Sequence, residues 1–202
     1  MPPAPAKTGA NRPLKAQVAH ISLPKPGERE NGDAVVVRHD EQGRAMLVVV
    51  DALGHGAGAA QVSELLVGRL SSLPLDTPVL EAMHAAHDAL RGTRGAAATI
   101  CMLAGTRFEA CAVGNVHLLC ANCEVPLVLS PGILGHQVSR FRVAQVELRT
   151  GSRVALLSDG VSLRFRLEEL RHLAPAEACD FIIQRYRRQE DDATVLVADL
   201  KA

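Results

Sequence analysis

The chain has 202 residues, 22 Lys plus Arg against 22 Asp plus Glu, and 48% hydrophobic residues. That is the composition of a folded domain with a substantial core, and zero formal charge speaks against a binder of nucleic-acid phosphates. Four Phe, one Tyr and no Trp leave little from which to build a stacking platform for single-stranded nucleic acid.

Residues 1–16, which open Met-Pro-Pro-Ala-Pro-Ala, carry no apolar stretch of the kind a secretory signal needs and read as a flexible tail before one domain over 17–202. No apolar run approaches the ~20 residues of a membrane helix. Five cysteines, an odd number in a chain large enough to pack without staples, point to reduced thiols and a cytoplasmic protein.

From Ala34 onward, short β-branched runs alternate with turn residues. Ala34–His39 and Arg44–Val50 read as a hairpin closed by Asp40-Glu41-Gln42-Gly43. The glycine-rich stretch Gly54–Gly58 opens a helix that runs to about Leu70 and is stopped by Leu73-Pro74. Thr77-Pro78 starts a second helix over Val79–Leu90, with Val79, Leu80, Met83, Ala86 and Leu90 at roughly helical spacing. A meander of Ala97–Ala104, Arg107–Val113, Val116–Cys120 and Val125–Leu129 follows, and then a pair, Phe141–Leu148 and Arg153–Leu157, joined by Thr150-Gly151-Ser152. Helical pattern returns over Leu167–Leu173 and Ala176–Arg187, and Ala193–Leu200 closes the chain as a strand. Antiparallel sheets covered by helices, an α+β sandwich, accommodate this order best.

Aspartates mark the ends of several of these runs: Asp33 before the first strand, Asp51 after the second, Asp159 after a later one, and Asp191-Asp192 before the last. Aspartate beside glycine is most often a turn or cap residue, so no one of these positions means much alone. Together they predict carboxylates gathered at one sheet rim. Two carboxylates ~5 Å apart repel by about 3 kcal/mol at an effective dielectric of 20, so three or four need protons or a cation. An all-oxygen set favours a hard ion, Mg²⁺ or Mn²⁺, over Zn²⁺.

Other candidates are weaker. Cys120 and Cys123 form a lone C-x2-C without the further ligands a zinc site needs, and a short turn explains them. His84 and His87 share a helix face at i, i+3, where a solvated face is the simpler reading. Gly54-His55-Gly56-Ala57-Gly58-Ala59 matches G-x-G-x-x-A between a strand and a helix, as in a dinucleotide-binding oxidoreductase. The chain then continues with two helices and hairpins, and Asp76, nearest the ribose-binding spacing, precedes a helix.

The ordered set Asn31-Gly32-Asp33, Asp51–Gly56, Thr99, Gly114-Asn115, Ser158-Asp159-Gly160 and Asp191-Asp192-Ala193-Thr194 resembles the SpoIIE-like branch of the metal-dependent protein phosphatases (PPM family). Within that branch it is similar to the stand-alone RsbX type found with stressosomes. The resemblance implies a four-layer α-β-β-α sandwich holding two or more Mn²⁺ or Mg²⁺ ions. By motif position, Asp51 would bridge the two central ions, the Ala52 carbonyl would bind one of them, Asp159 and Asp191 would complete the shell of the second ion, and Asp33 would act from an outer or third-metal position. Ala52 departs from the family's usual glycine. His55, near the bridging aspartate, fits a structural or water-positioning role. The implied activity is hydrolysis of phosphoserine or phosphothreonine by a metal-bridging water, on phosphorylated STAS-domain proteins of a stress-signalling complex. A catalytically silent binding module with the same fold is the alternative.

Overall fold

In the computed structural model, residues 14–202 are described. The expected tail therefore lies outside the described residues as far as residue 13. Leu14 is already buried, and Lys15 begins the first strand.

Among the described residues, nine strands run in two antiparallel sheets. β1 (Lys15–Leu23), β9 (Ala193–Lys201), β8 (Arg153–Leu157) and β6 (His117–Ala121) form one, in that spatial order. The other contains β2 (Asp33–His39), β3 (Ala45–Ala52), β4 (Ala96–Ala104), β5 (Arg107–Val113) and β7 (Val143–Glu147). Helices α1 (Ala57–Ser71) and α2 (Val79–Ala89) cover the five-stranded sheet, and α3 (Pro175–Tyr186) covers the four-stranded one.

Strand alternation explains the layering. In β3, Met46, Val48 and Val50 face α1 and α2, while Ala45, Leu47 and Val49 face the other sheet. In β9, Leu196, Ala198 and Leu200 face between the sheets, while Val195 and Val197 face α3. Three apolar interfaces therefore separate four layers, α-β-β-α, as expected. Each helix contributes one stripe: Ala59, Val62, Leu66 and Leu70 in α1, Val79, Ala82, Met83 and Ala86 in α2, and Ala178, Cys179, Ile182 and Ile183 in α3. Leu80, expected on the apolar face of α2, is 40% exposed instead.

Several expectations need correction. β1 escaped the sequence reading because its polar-apolar alternation changes phase at Val18-Ala19: Ala16 and Val18 pack between the sheets, Ala19, Ile21 and Leu23 pack under α3, and Lys15, Gln17 and His20 are exposed. Val125–Leu129 forms no strand; Pro126 has no N–H to give a ladder, and the Leu127 N–H bonds back to the Val125 carbonyl at 2.7 Å. β7 and β8 are not a hairpin, since β7 pairs with β5 and β8 lies between β6 and β9. The helix expected over Leu167–Leu173 is a single 3₁₀ turn, Leu167–Leu170. The buried Arg153 guanidinium takes the Leu170 and Leu173 carbonyls at 2.6 and 2.7 Å, which holds this segment in its own path.

The dinucleotide reading fails on topology. β3 and β4, on either side of the two helices, pair antiparallel, whereas that fold needs a parallel crossover. Asp76 is an exposed loop residue facing Arg44. No helix among the described residues is long and apolar enough to cross a membrane.

Candidate metal centre

The same parity that builds the core sets the acidic site. In β2 and β3, Val35, Val37, Leu47 and Val49 face the opposite sheet. Asp33 and Asp51 have the same parity and are cross-strand partners, so both point into the end of the inter-sheet layer. On the facing sheet, Ser158 and Thr194 continue the parity of Leu156 and Leu196. One end of the hydrophobic sandwich is thus closed by polar groups from four strands.

Those groups are tightly connected. Ser158 Oγ donates to Asp33 Oδ2 at 2.6 Å and accepts the Thr194 N–H at 2.9 Å. Thr194 and Ser22 hydroxyls meet at 2.6 Å, and Asn31 Nδ2 donates to Ser22 Oγ at 2.8 Å. Asn31 Oδ1 in turn accepts the Asp33 N–H at 2.9 Å. Asp192 accepts the Lys25 and Gly32 N–H groups at 2.7 and 2.9 Å, which makes it the clasp of the β1–β2 connection. Gly160 passes so close to this clasp that a Cβ would stand 1.7 Å from the Asp192 carbonyl oxygen. The Asn-Gly-Asp, Ser-Asp-Gly and Asp-Asp-Ala-Thr runs, distant in sequence, are therefore parts of one lock.

Beyond the lock, Asp51, Asp159 and Asp191 line one cavity of about 280 Å³, together with Glu190, Asn115, His55, Leu53, Gly54 and Ala97. Asn115 Nδ2 donates to Asp159 Oδ2 at 2.5 Å and aims that carboxylate. Gly114 makes the turn before it possible: its φ is +81°, and a Cβ would meet that of Ala97 at 2.5 Å. Thr99 stays out of the cavity, buried, with its hydroxyl on the Val116 carbonyl at 2.6 Å.

The electrostatics show how crowded the carboxylates are. Burial first, then Asp33, Asp159, Asp191 and Asp192, push Asp51 up to about 8. Burial pushes Asp33 up to about 7 against the hydrogen bonds from Ser158 and Thr194. Asp159 is raised by burial and by Asp191, with Arg188 and His117 partly offsetting them. A divalent cation would reverse this strain, and carboxylate, amide and carbonyl oxygens are the donors that Mg²⁺ and Mn²⁺ prefer. The residues present therefore fit such an ion in donor type and charge. Among the described residues no three Asp, Glu, His or Cys side chains are drawn in closely enough to grip an ion as they stand.

Of the residues singled out in the sequence, Asp51, Asp159 and Asp191 come together. Asp33 sits behind them, 5% exposed, and opens toward a separate hollow of about 510 Å³ against α1. Ala52 ends β3 with its side chain buried and its N–H on the Gly32 carbonyl at 3.2 Å. His55 Nδ1 pairs with Glu28 Oε1 at 2.8 Å on the cavity wall. Sequence reasoning missed Glu190, Arg188 and His117; only the charge run Arg187–Asp192 hinted at the first two. His84 and His87 meet the Phe141 ring in T-shaped contacts, and His87 Nδ1 accepts the Gly135 N–H at 3.2 Å. Cys120 and Cys123 are half-buried at the end of β6, and all five thiols are free.

Comparison with known proteins bears on the family and the fold. The family model of stage II sporulation protein E (SpoIIE) matches residues 41–201. Among curated proteins none matches in sequence. A solved chain of the bacterial stressosome, described as a modular system adapted to control secondary messenger signalling, is 30% identical with a TM-score of 0.84, over 91% of this chain and 99% of that one. RsbX in complex with magnesium is 22% identical with a TM-score of 0.81, over 92% and 96% of the two chains. The catalytic domain of the serine/threonine phosphatase PstP with two manganese ions is 22% identical with a TM-score of 0.74, over 94% and 100%. The last two likenesses show the fold.

Proposed function

Because the chain belongs to the SpoIIE family of PP2C-type protein phosphatases, we propose that it is a metal-dependent hydrolase of phosphoserine or phosphothreonine in stressosome-type signalling proteins. The observation that carries this reading is the cavity into which Asp51, Asp159 and Asp191 converge from the ends of three different strands. Asp51 would be the central ligand, with Asp159 and Asp191 on the facing sheet. Asp33 and the Ala52 carbonyl would act from the β2–β3 side.

The chemistry that bound Mn²⁺ or Mg²⁺ supplies is an acidified water and neutralised phosphate charge. The chain's own part is to hold the carboxylates still. Asn115 fixes the Asp159 rotamer, the Ser158–Thr194 pair fixes Asp33, and Asp192 ties the loop before β2 to the strand that follows Asp191. Among the described residues no Ser, Thr or Cys lines the cavity, which favours direct attack by water over a phosphoenzyme on a hydroxyl or thiol. Leu53, 39% exposed on the cavity wall, gives a bound phosphopeptide an apolar contact.

Phosphorylated STAS-domain proteins are the proposed substrates, and removing their phosphate would reset the signal. The likeness to a stressosome chain across nearly the whole length of both supports this. The test is hydrolysis of a generic phosphate ester, a phosphorylated STAS scaffold and a phosphorylated anti-sigma antagonist, each with Mn²⁺ and with EDTA. Metal-dependent release, fastest from the scaffold, is expected. Full activity in EDTA or in Asp51→Asn sinks the metal mechanism, and selectivity for the antagonist alone overturns the substrate assignment.

A further inference from the structure

The glycine-rich turn after β3 has no part in the lock or among the ligands, yet one side chain is laid across it. Arg94 Nη1 donates to the Leu53 carbonyl at 3.2 Å. A Cβ on Gly54 would stand 2.9 Å from Nη1, and one on Gly58 would stand 2.5 Å from Nη2. The guanidinium therefore fills the space that side chains at 54 and 58 would take, and the turn is a seat for it. Leu53 and Gly54 are also walls of the carboxylate cavity, so the seat is at the cavity rim.

The charge environment makes this arginine unusual. Among the described residues no carboxylate pairs with it, and its one hydrogen-bond partner is a backbone carbonyl. Arg188, the other arginine acting on the cavity carboxylates, is directed at Asp159, and the His55 ring is taken by Glu28. A planar fork with most of its donors unspent suits two oxygens of a phosphate, and its seat keeps it from wandering as an exposed arginine otherwise does. A phosphate dianion also needs a cation beside a cavity lined by four carboxylates.

We propose that Arg94 binds the phosphoryl group of the substrate at the rim of the carboxylate cavity. The proposal rests on the phosphatase reading above for the identity of the anion. Lysine at this position would keep the charge but lose the paired geometry.

The test uses full-length protein, Arg94→Ala and Arg94→Lys, all loaded with Mn²⁺. Inorganic phosphate binding is read by calorimetry, and p-nitrophenyl phosphate and a phosphoserine peptide are read by steady-state kinetics. Arg94→Ala is expected to weaken phosphate binding and raise KM for both substrates roughly tenfold or more, with a smaller change in kcat. Arg94→Lys should recover part of the loss, and Mn²⁺ affinity and melting temperature should stay at wild-type values. Unchanged phosphate affinity and KM overturn the proposal. So does a rise in KM for the peptide alone, which would assign Arg94 to a flanking residue, or a loss of Mn²⁺ binding or stability, which would make it a brace for the turn. Wild-type protein that binds no phosphate overturns it too. Wild-type protein that binds phosphate through Arg94 but hydrolyses no ester defeats only the phosphatase reading.

Discussion

Replacing Asp51 with Asn should stabilise the metal-free protein at neutral and alkaline pH while abolishing its response to metal. Burial and the surrounding carboxylates raise Asp51 from 3.8 to about 8. Between those values the native chain retains a proton that the unfolded chain has released. The stabilisation is therefore fully present below the unfolded value, is lost progressively as pH rises, and is gone above about pH 8. Each pH unit is worth ~1.4 kcal/mol, so the whole loss is on the order of 5 kcal/mol. Asp33, raised to about 7, is one of the charges acting on Asp51, so the Coulombic part of the penalty is shared, while burial, the larger cause, acts on each separately. The assay is urea unfolding of EDTA-treated wild-type protein and Asp51→Asn at about pH 5, 7 and 9. Wild-type protein should lose several kcal/mol across that range, and the variant's profile should be flatter, with the slope that Asp33 contributes remaining. At ~2–4 °C per kcal/mol for a chain of this size, the variant should melt on the order of 10 °C higher near pH 9. Excess Mn²⁺ should then raise the wild-type melting point and leave the variant's nearly unmoved. A variant no more stable than wild type near pH 9 would refute the claim that burial and the neighbouring carboxylates penalise the Asp51 charge.

Two further substitutions separate aim from architecture. Asn115→Ala removes the hydrogen bond that orients Asp159, so Mn²⁺ affinity by calorimetry should fall roughly tenfold or more, with metal-free stability nearly unchanged. Arg153→Met should cost about 3–5 kcal/mol in urea unfolding, because it strands the Asp199 carboxylate and two backbone carbonyls that the buried guanidinium satisfies. Adding Asp199→Leu should return part of that loss.

Much of the fold could be read from the chain because the strands in the middle of each sheet have distinct patterns. β3 and β4 are apolar on both faces, as strands between a helix layer and a second sheet must be. The same contrast could have told β7 from β8: Val143–Glu147 alternates exposed and covered, as an edge strand does, while Arg153–Leu157 is buried throughout. A turn of Thr150-Gly151-Ser152 looks like a hairpin turn whichever sheet the next strand joins, so local chemistry could not reveal the crossing. The aspartates were visible as poor strand formers at strand ends. Their division of labour was not. Asp191 and Asp192 are neighbours of one type, and only the backbone N–H groups of Lys25 and Gly32 decide that the second is a clasp and the first faces the cavity. Arg94 carries no sequence signal, since its meaning comes from glycines 40 and 36 positions away in the chain.

The central claim is that carboxylates from separate strands share a cation. Diffraction from crystals soaked in Mn²⁺, collected at the manganese absorption edge, tests it most directly. The account predicts an anomalous peak in contact with Asp51 and with at least one of Asp159 and Asp191. Strong peaks only elsewhere, with these three side chains bound to nothing in common, would contradict it.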